Sequence, residues 1–202
     1  GLTPAIPLLQ PESMKDLQFL EDLRAFNADI FVVVAFRMLP KAVWAMPPKG
    51  TFNLHASLLP AYRGAAPINW AIINGEKVTG VTTFLLDEHI DTGEIIFTES
   101  VEIERQDNIG TLHDKLMEVG SRLVCKTVDA LQSGNVQTQP QTQSVESVPE
   151  YARYAPKLTP ATGKIDWNSS AEQIYNLVRG LSPRPGTHST LCFDEQQLEM
   201  KI

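Results

Sequence analysis

Ile30-Phe31-Val32-Val33-Val34-Ala35-Phe36 decides the fold class of this 202-residue chain. A short, unbroken, β-branched and aromatic run of this kind suits a strand buried on both faces of a parallel sheet. Just upstream, Lys15 to Phe26 places Phe19, Leu23 and Phe26 at i, i+4 and i+7, with Leu17 and Leu20 alongside, which predicts an amphipathic helix. Downstream, Pro40, Pro47 and Pro48 surround a short helical turn, and Thr51 to Leu54 is a second strand. Pro67 opens a helix that carries Trp70 and Ile73 and stops at Asn74-Gly75. Val81 to Leu86 and Ile95 to Ile103 are strands flanking an acidic loop. Leu112, Leu116, Leu123, Val124, Val128 and Leu131 then keep helical spacing up to a terminating Gly134. Strands alternating with helices predict an α/β domain over residues 1–134.

Ser133 to Glu150 changes character, with Gln137, Gln139, Gln141, Gln143, two prolines and no aromatic residue. An extended linker crossing the surface is expected at 135–154. A second, partial domain follows over 155–202. There Ser170 and Gln173 form a capping box for a helix to Leu181, which Pro183 and Pro185 end. Thr190–Phe193 and Leu198–Ile202 are expected to pair around Asp194-Glu195-Gln196-Gln197.

A net charge of −7 argues against a wholly basic nucleic-acid coat, though one basic face on an acidic body stays compatible with it. The longest apolar run is seven residues, far from the roughly 20 of a membrane-spanning helix. Gly1 to Gln10 lacks the pattern of a secretory leader, and Cys125 and Cys192 form no CxxC pair. A cytoplasmic protein is expected.

The chemistry concentrates in Phe52-Asn53-Leu54-His55-Ala56-Ser57-Leu58-Leu59-Pro60 and in Asp87-Glu88-His89-Ile90-Asp91-Thr92-Gly93. Alternate residues of a strand share a face, so Asn53 and His55 point the same way. An amide donor beside an imidazole suits a developing oxyanion and a moving proton. Taken locally, a structurally satisfied histidine is the commoner fate of such a residue, and an acidic turn is usually just solvated. A carboxylate brought near His55 would orient the ring. His55, His89, His113 and His188 lack ligand spacing, so no metal is expected.

The string from Asn53 to Pro60, followed by Tyr62-Arg63-Gly64, Pro67 and Ile90-Asp91-Thr92-Gly93, resembles the folate-dependent formyltransferases. Ala35-Phe36-Arg37-Met38-Leu39-Pro40, Ala155-Pro156-Lys157-Leu158, Ile165-Asp166-Trp167 and Arg179-Gly180-Leu181-Ser182-Pro183 extend the likeness over most of the chain. The motifs after the linker point to the branch of that family that acts on transfer RNA. The resemblance implies a Rossmann-like formyltransferase sheet whose N-terminal part is absent from this chain, then a linker and a small, truncated, β-barrel-like C-terminal domain. It also implies a catalytic trio of Asn53, His55 and Asp91. The formyl donor would be 10-formyltetrahydrofolate and the acceptor the α-amino group of methionyl initiator tRNA. The folate would meet Ser57, Leu58, Leu59 and Pro60, with Arg37, Met38 and Leu39 on one side and the loop from Asp87 on the other. Arg63, Lys157 and Arg179 are candidates for tRNA phosphates, as are Lys164 and Arg184. Trp70 and Trp167 are expected to pack rather than stack on bases. A monomer is expected. An amino-sugar formyltransferase, a formyltetrahydrofolate hydrolase and a non-catalytic folate- or RNA-binding module are the alternatives.

Overall fold

The computed structural model of the chain describes residues 6–34, 38–141, 147–194 and 196–202. Its elements run α1 (Leu17–Ala25), β1 (Phe31–Val34), α2 (Lys41–Trp44), β2 (Thr51–His55), β3 (Arg63–Gly64), α3 (Pro67–Ile73), β4 (Val78–Leu85) and β5 (Ile95–Glu102). They continue with α4 (Ile109–Ser133), α5 (Glu150–Arg153), β6 (Tyr154–Ala155), α6 (Ala171–Leu181), β7 (His188–Phe193) and β8 (Gln196–Lys201).

The main sheet has the order β1-β2-β4-β5. Pairing of β1 with β2 is parallel, while β2–β4 and β4–β5 are antiparallel, so the sheet is mixed rather than wholly parallel. Val33 is buried but Val32 and Val34 are exposed, unlike the doubly buried strand expected. Among the described residues β1 has a sheet neighbour on one side only, β2, and Val33 alone of its residues is buried. Ala35 and Phe36, the end of that run, lie outside the described residues.

The core gathers where α3 and α4 meet the sheet, around Ala71, Ile72, Val81, Leu112, Leu116 and Leu123. Burying a leucine or isoleucine side chain there contributes about 1.5–3 kcal/mol. Local chemistry sets the helix ends. Pro67 sits in the first turn of α3, where its missing N–H has no partner to lose. Asn108 and Thr111 cap each other at the start of α4, and Gly134, at φ +71°, ends it in the left-handed region. Ser170 and Gln173 form the box that opens α6.

Three features depart from the sequence expectation. The linker is not a surface crossing throughout: Gln139 exchanges two backbone hydrogen bonds with Ile95, and Gln141 is 2% exposed. Ala152 and Ala155 join the main core, because β6 pairs in parallel with β3 and Tyr62 N–H reaches Ala152 O at 2.6 Å. Finally, the β7–β8 turn is tighter than expected, since Phe193 already pairs with Gln196. The two tryptophans also divide. Trp70 is half-buried, its indole N–H on Pro156 O, whereas Trp167 is 63% exposed, its indole N–H on Ser189 Oγ.

Candidate active site

Strand β2 delivers two polar side chains to one place. Its backbone is held on both sides, Asn53 lying opposite Val33 of β1 and Phe84 of β4, and His55 opposite Thr82. Asn53 and His55 both border a cavity of about 1150 Å³, which also receives Asp91 from the β4–β5 connection. That size suits a drug-sized ligand or larger. Among the described residues, the Asn53 side chain makes no hydrogen bond, which leaves its amide free for a ligand.

His55 is 7% exposed and meets Phe84 edge-on, with 6.5 Å between ring centroids. Its Nε2 lies 2.9 Å from Tyr62 O. A carbonyl can only accept, so this contact assigns the ring proton to Nε2. Nδ1 is then the nitrogen left for chemistry, and it lies 3.9 Å from Asp91 Oδ2.

Asp91 adopts φ +55°, a left-handed conformation that Asp tolerates better than most residues. Its Oδ2 accepts from Gly64 N–H at 2.9 Å. Gly64 itself sits at φ +121°, where a Cβ would fall 2.7 Å from Ala155 O, so glycine is required for β3 to lie this close to β6. Asp87 organises the loop before Asp91 by accepting from His89 N–H and Thr92 Oγ1. Glu88 pairs with Lys41 at 2.6 Å across the cavity mouth. The Lys41 hydrogen bond and charge hold the Glu88 carboxyl below the usual range. Behind His55, burial and then the hydrogen bond to Glu76 push the Tyr62 hydroxyl well above its ordinary value.

The other expected residues divide. Met38, Leu39 and Asp87 border the cavity with the trio, whereas Arg37 lies outside the described residues. Ser57, Leu58, Leu59 and Pro60 do not border it. Ser57 is fully buried and donates to Ala61 O, and Leu59 N–H reaches Thr82 Oγ1, so these residues shape the turn after β2. Arg179 is 7% exposed and donates to Asn176 Oδ1, Glu104 O and Asp107 O, which commits its guanidinium to holding α6 against the loop before α4. Arg63 donates twice to Gln141 Oε1, while Lys157, Lys164 and Arg184 are exposed. Two elements of the site were invisible in the sequence: the Tyr62 carbonyl, which is backbone, and Gln141, hidden among similar glutamines. Among the described residues, no three His, Cys, Asp or Glu side chains converge as a metal cluster would, and no helix is long and apolar enough to cross a membrane.

An unspent amide and a buried imidazole on one strand face, with a carboxylate close to the ring in the lining of the same cavity, fit transfer of an acyl-type group. The chain belongs to the formyl transferase family: residues 4–128 match formyl transferase and residues 157–202 match the formyl transferase C-terminal domain. It is 55% identical to the methionyl-tRNA formyltransferase of Azobacteroides pseudotrichonymphae over all of this chain and 62% of that one. With the enzyme of the same name from Bacteroides fragilis the identity is 54%, over 96% of this chain and 60% of that one. The chain thus spans about three fifths of the length of these relatives. Among solved structures, a 4-N formyltransferase from Francisella tularensis superimposes with a TM-score of 0.73 at 20% identity, over 95% of this chain and 75% of that one. HypX from Aquifex aeolicus, in complex with tetrahydrofolic acid, gives 0.70 at 20% identity, over 85% of this chain and 29% of that one. These two share the fold.

Proposed function

We propose that this chain carries the catalytic site of an enzyme that moves a formyl group from 10-formyltetrahydrofolate to the α-amino group of methionyl initiator tRNA. The observation that carries the reading is the convergence of Asn53, His55 and Asp91 on one cavity, with the Nε2 proton of His55 held by a backbone carbonyl. The name shared by relatives at 54–55% identity supports the choice of acceptor.

In this reading the amine nitrogen attacks the formyl carbon and the C=O electron pair moves onto oxygen. The Asn53 amide and the charged His55, through Nδ1–H, hydrogen-bond that oxyanion, and fixed donors act strongly on charge as it develops. Asp91, 3.9 Å from Nδ1, compensates the imidazolium charge. The tetrahedral adduct then collapses and its bond to the folate nitrogen breaks. The proton lost by the amine passes through the His55–Asp91 pair or a water to that departing nitrogen. Met38, Leu39 and the loop from Asp87 would flank the folate, with Arg37 as a further expected contact.

Residues 1–134 would then hold the chemistry, 135–154 connect, and 155–202 begin a tRNA-binding unit in which Lys157 is free to meet phosphate. The protein would act as a monomer in the cytoplasm. The test is formyl transfer by the full-length protein to methionyl initiator tRNA, to an amino-sugar nucleotide and to water, with a His55→Ala control. Transfer to the charged tRNA, lost about 100- to 1000-fold in the control, is expected. Transfer to the sugar or water alone would overturn the acceptor, and none at all the enzyme reading.

A further inference from the structure

Gln141 lies in the connection after α4, buried at 2% exposure, and both ends of its amide are occupied. Its Nε2 donates to Gly93 O at 2.7 Å and to Asp91 O at 3.1 Å. Its Oε1 accepts from Arg63 Nη2 at 2.6 Å and Nε at 3.1 Å. Arg63 directly precedes Gly64, whose N–H holds the Asp91 carboxylate. One side chain therefore grips Asp91 from two directions: at its own carbonyl, and through Arg63 at the strand that holds its carboxylate. The grip also helps hold Asp91 at φ +55°, a conformation that is less favourable than the right-handed one even for Asp.

We propose that Gln141 is a positioning residue for formyl transfer, setting the Asp91 carboxylate against Nδ1 of His55 from the segment that joins the two matched domains. The proposal rests on the reading of Asn53, His55 and Asp91 as the reacting groups. A glutamine is the side chain the place requires. It is neutral, it gives protons to two carbonyls, and it accepts from a guanidinium. Glutamate would keep the Arg63 contact but set a carboxylate against the Asp91 and Gly93 carbonyls. Leucine would take this partner from all three groups, the buried Gly93 carbonyl among them.

The experiment compares wild type, Gln141→Glu, Gln141→Leu, Asp91→Asn and the Asp91→Asn/Gln141→Leu double variant in the full-length protein, using steady-state kinetics and thermal melts. We expect kcat to fall about 10- to 100-fold in both Gln141 variants, as small misplacements of reacting groups do. KM for the folate should stay within about 3-fold, because an interaction made in the transition state is the one removed. The double variant should be no slower than Asp91→Asn alone, since residues acting through one another are not additive. A full further loss in the Asp91→Asn background, or a raised KM with kcat unchanged, would overturn the proposal. Should Gln141→Leu fail to fold, Gln141→Glu, which retains the Arg63 contact, carries the test by its kcat and KM. If wild type transfers formyl to no acceptor, the reading of the reaction falls and the positioning is read separately. The ring ¹⁵N resonances of His55 are then compared between wild type and Gln141→Glu; a shift supports positioning and identical spectra overturn it.

Discussion

Asn53 and His55 share one face of β2 but are held differently. His55 has its Nε2 proton committed to Tyr62 O, so the ring presents one nitrogen in one orientation. Asn53 carries no such commitment among the described residues, and its amide can turn to whatever oxygen enters the cavity. Truncating an oxyanion donor typically costs about 100- to 1000-fold in rate. Asn53→Ala is expected to lose kcat on that scale with little change in thermal midpoint, because the side chain holds nothing else in place. Steady-state assays beside a melting curve check it; a folded variant with wild-type kcat would remove Asn53 from the chemistry. The sequence exposed this pair through strand alternation, but Tyr62 O and Gln141 were beyond it. A backbone carbonyl has no letter of its own, and Gln141 is spelled like Gln137 and Gln139 beside it.

At the scale of elements, short-range codes explain most boundaries. The α4 helix starts where Asn108 Oδ1 accepts from Thr111 N–H and Thr111 Oγ1 accepts from Asn108 N–H. Asn108→Ala should therefore destabilise the protein by about 1 kcal/mol, read from the urea midpoint. The kcat of the folded enzyme should not change, because the cap lies outside the cavity lining. α4 also carries a buried polar contact, Thr127 Oγ1 to Thr83 Oγ1 at 2.9 Å, which registers the helix against β4. Helices α1 to α4 and α6, the Ser170–Gln173 capping box, the Gly134 stop and the four strands of the main sheet could be read directly from periodicity and capping residues. The antiparallel direction of β4 could not, since an apolar β-branched run reads alike in either direction.

Across the whole molecule, the segments on either side of the linker lock together at α3 and α6. A Cβ on Gly180 would fall 2.7 Å from Ile73 Cγ1 and 3.2 Å from Ile73 N, and Asn69 Nδ2 donates to Gly180 O. Gly180→Val would push the helices apart, at about 1–3 kcal/mol. Formyl transfer should fall with it, because the N-terminal turn of α3 borders the cavity. Equilibrium unfolding and an activity assay on one preparation test both; wild-type values for both would refute the coupling. A second tie runs through Asp107. Burial alone would raise its pKa, but hydrogen bonds from Lys115, the Glu104 N–H and Thr111 outweigh this and hold it below the usual range. A carboxyl depressed by folding contributes stability that is complete above its unfolded value, about 3.9, and lost as pH falls through its folded one. Asp107→Asn should thus be less stable than wild type at neutral pH, the gap narrowing from about pH 4 downward. Urea midpoints across that range measure the gap, and a constant difference would refute the assignment.

By itself the sequence determined the α/β class, the extent of most helices, the family signature and the shared strand face of Asn53 and His55. Each of these depends on neighbours a few positions apart, through strand alternation, helical period, capping or a contiguous motif. Tertiary structure decided the rest: that Arg179 is buried in a joint, that β6 lies against β3, and that Gln141 reaches Asp91 across 50 positions. Those contacts form between segments far apart in the chain. Their partners are mostly backbone carbonyls and amides, which every residue carries alike, so no local pattern announces them.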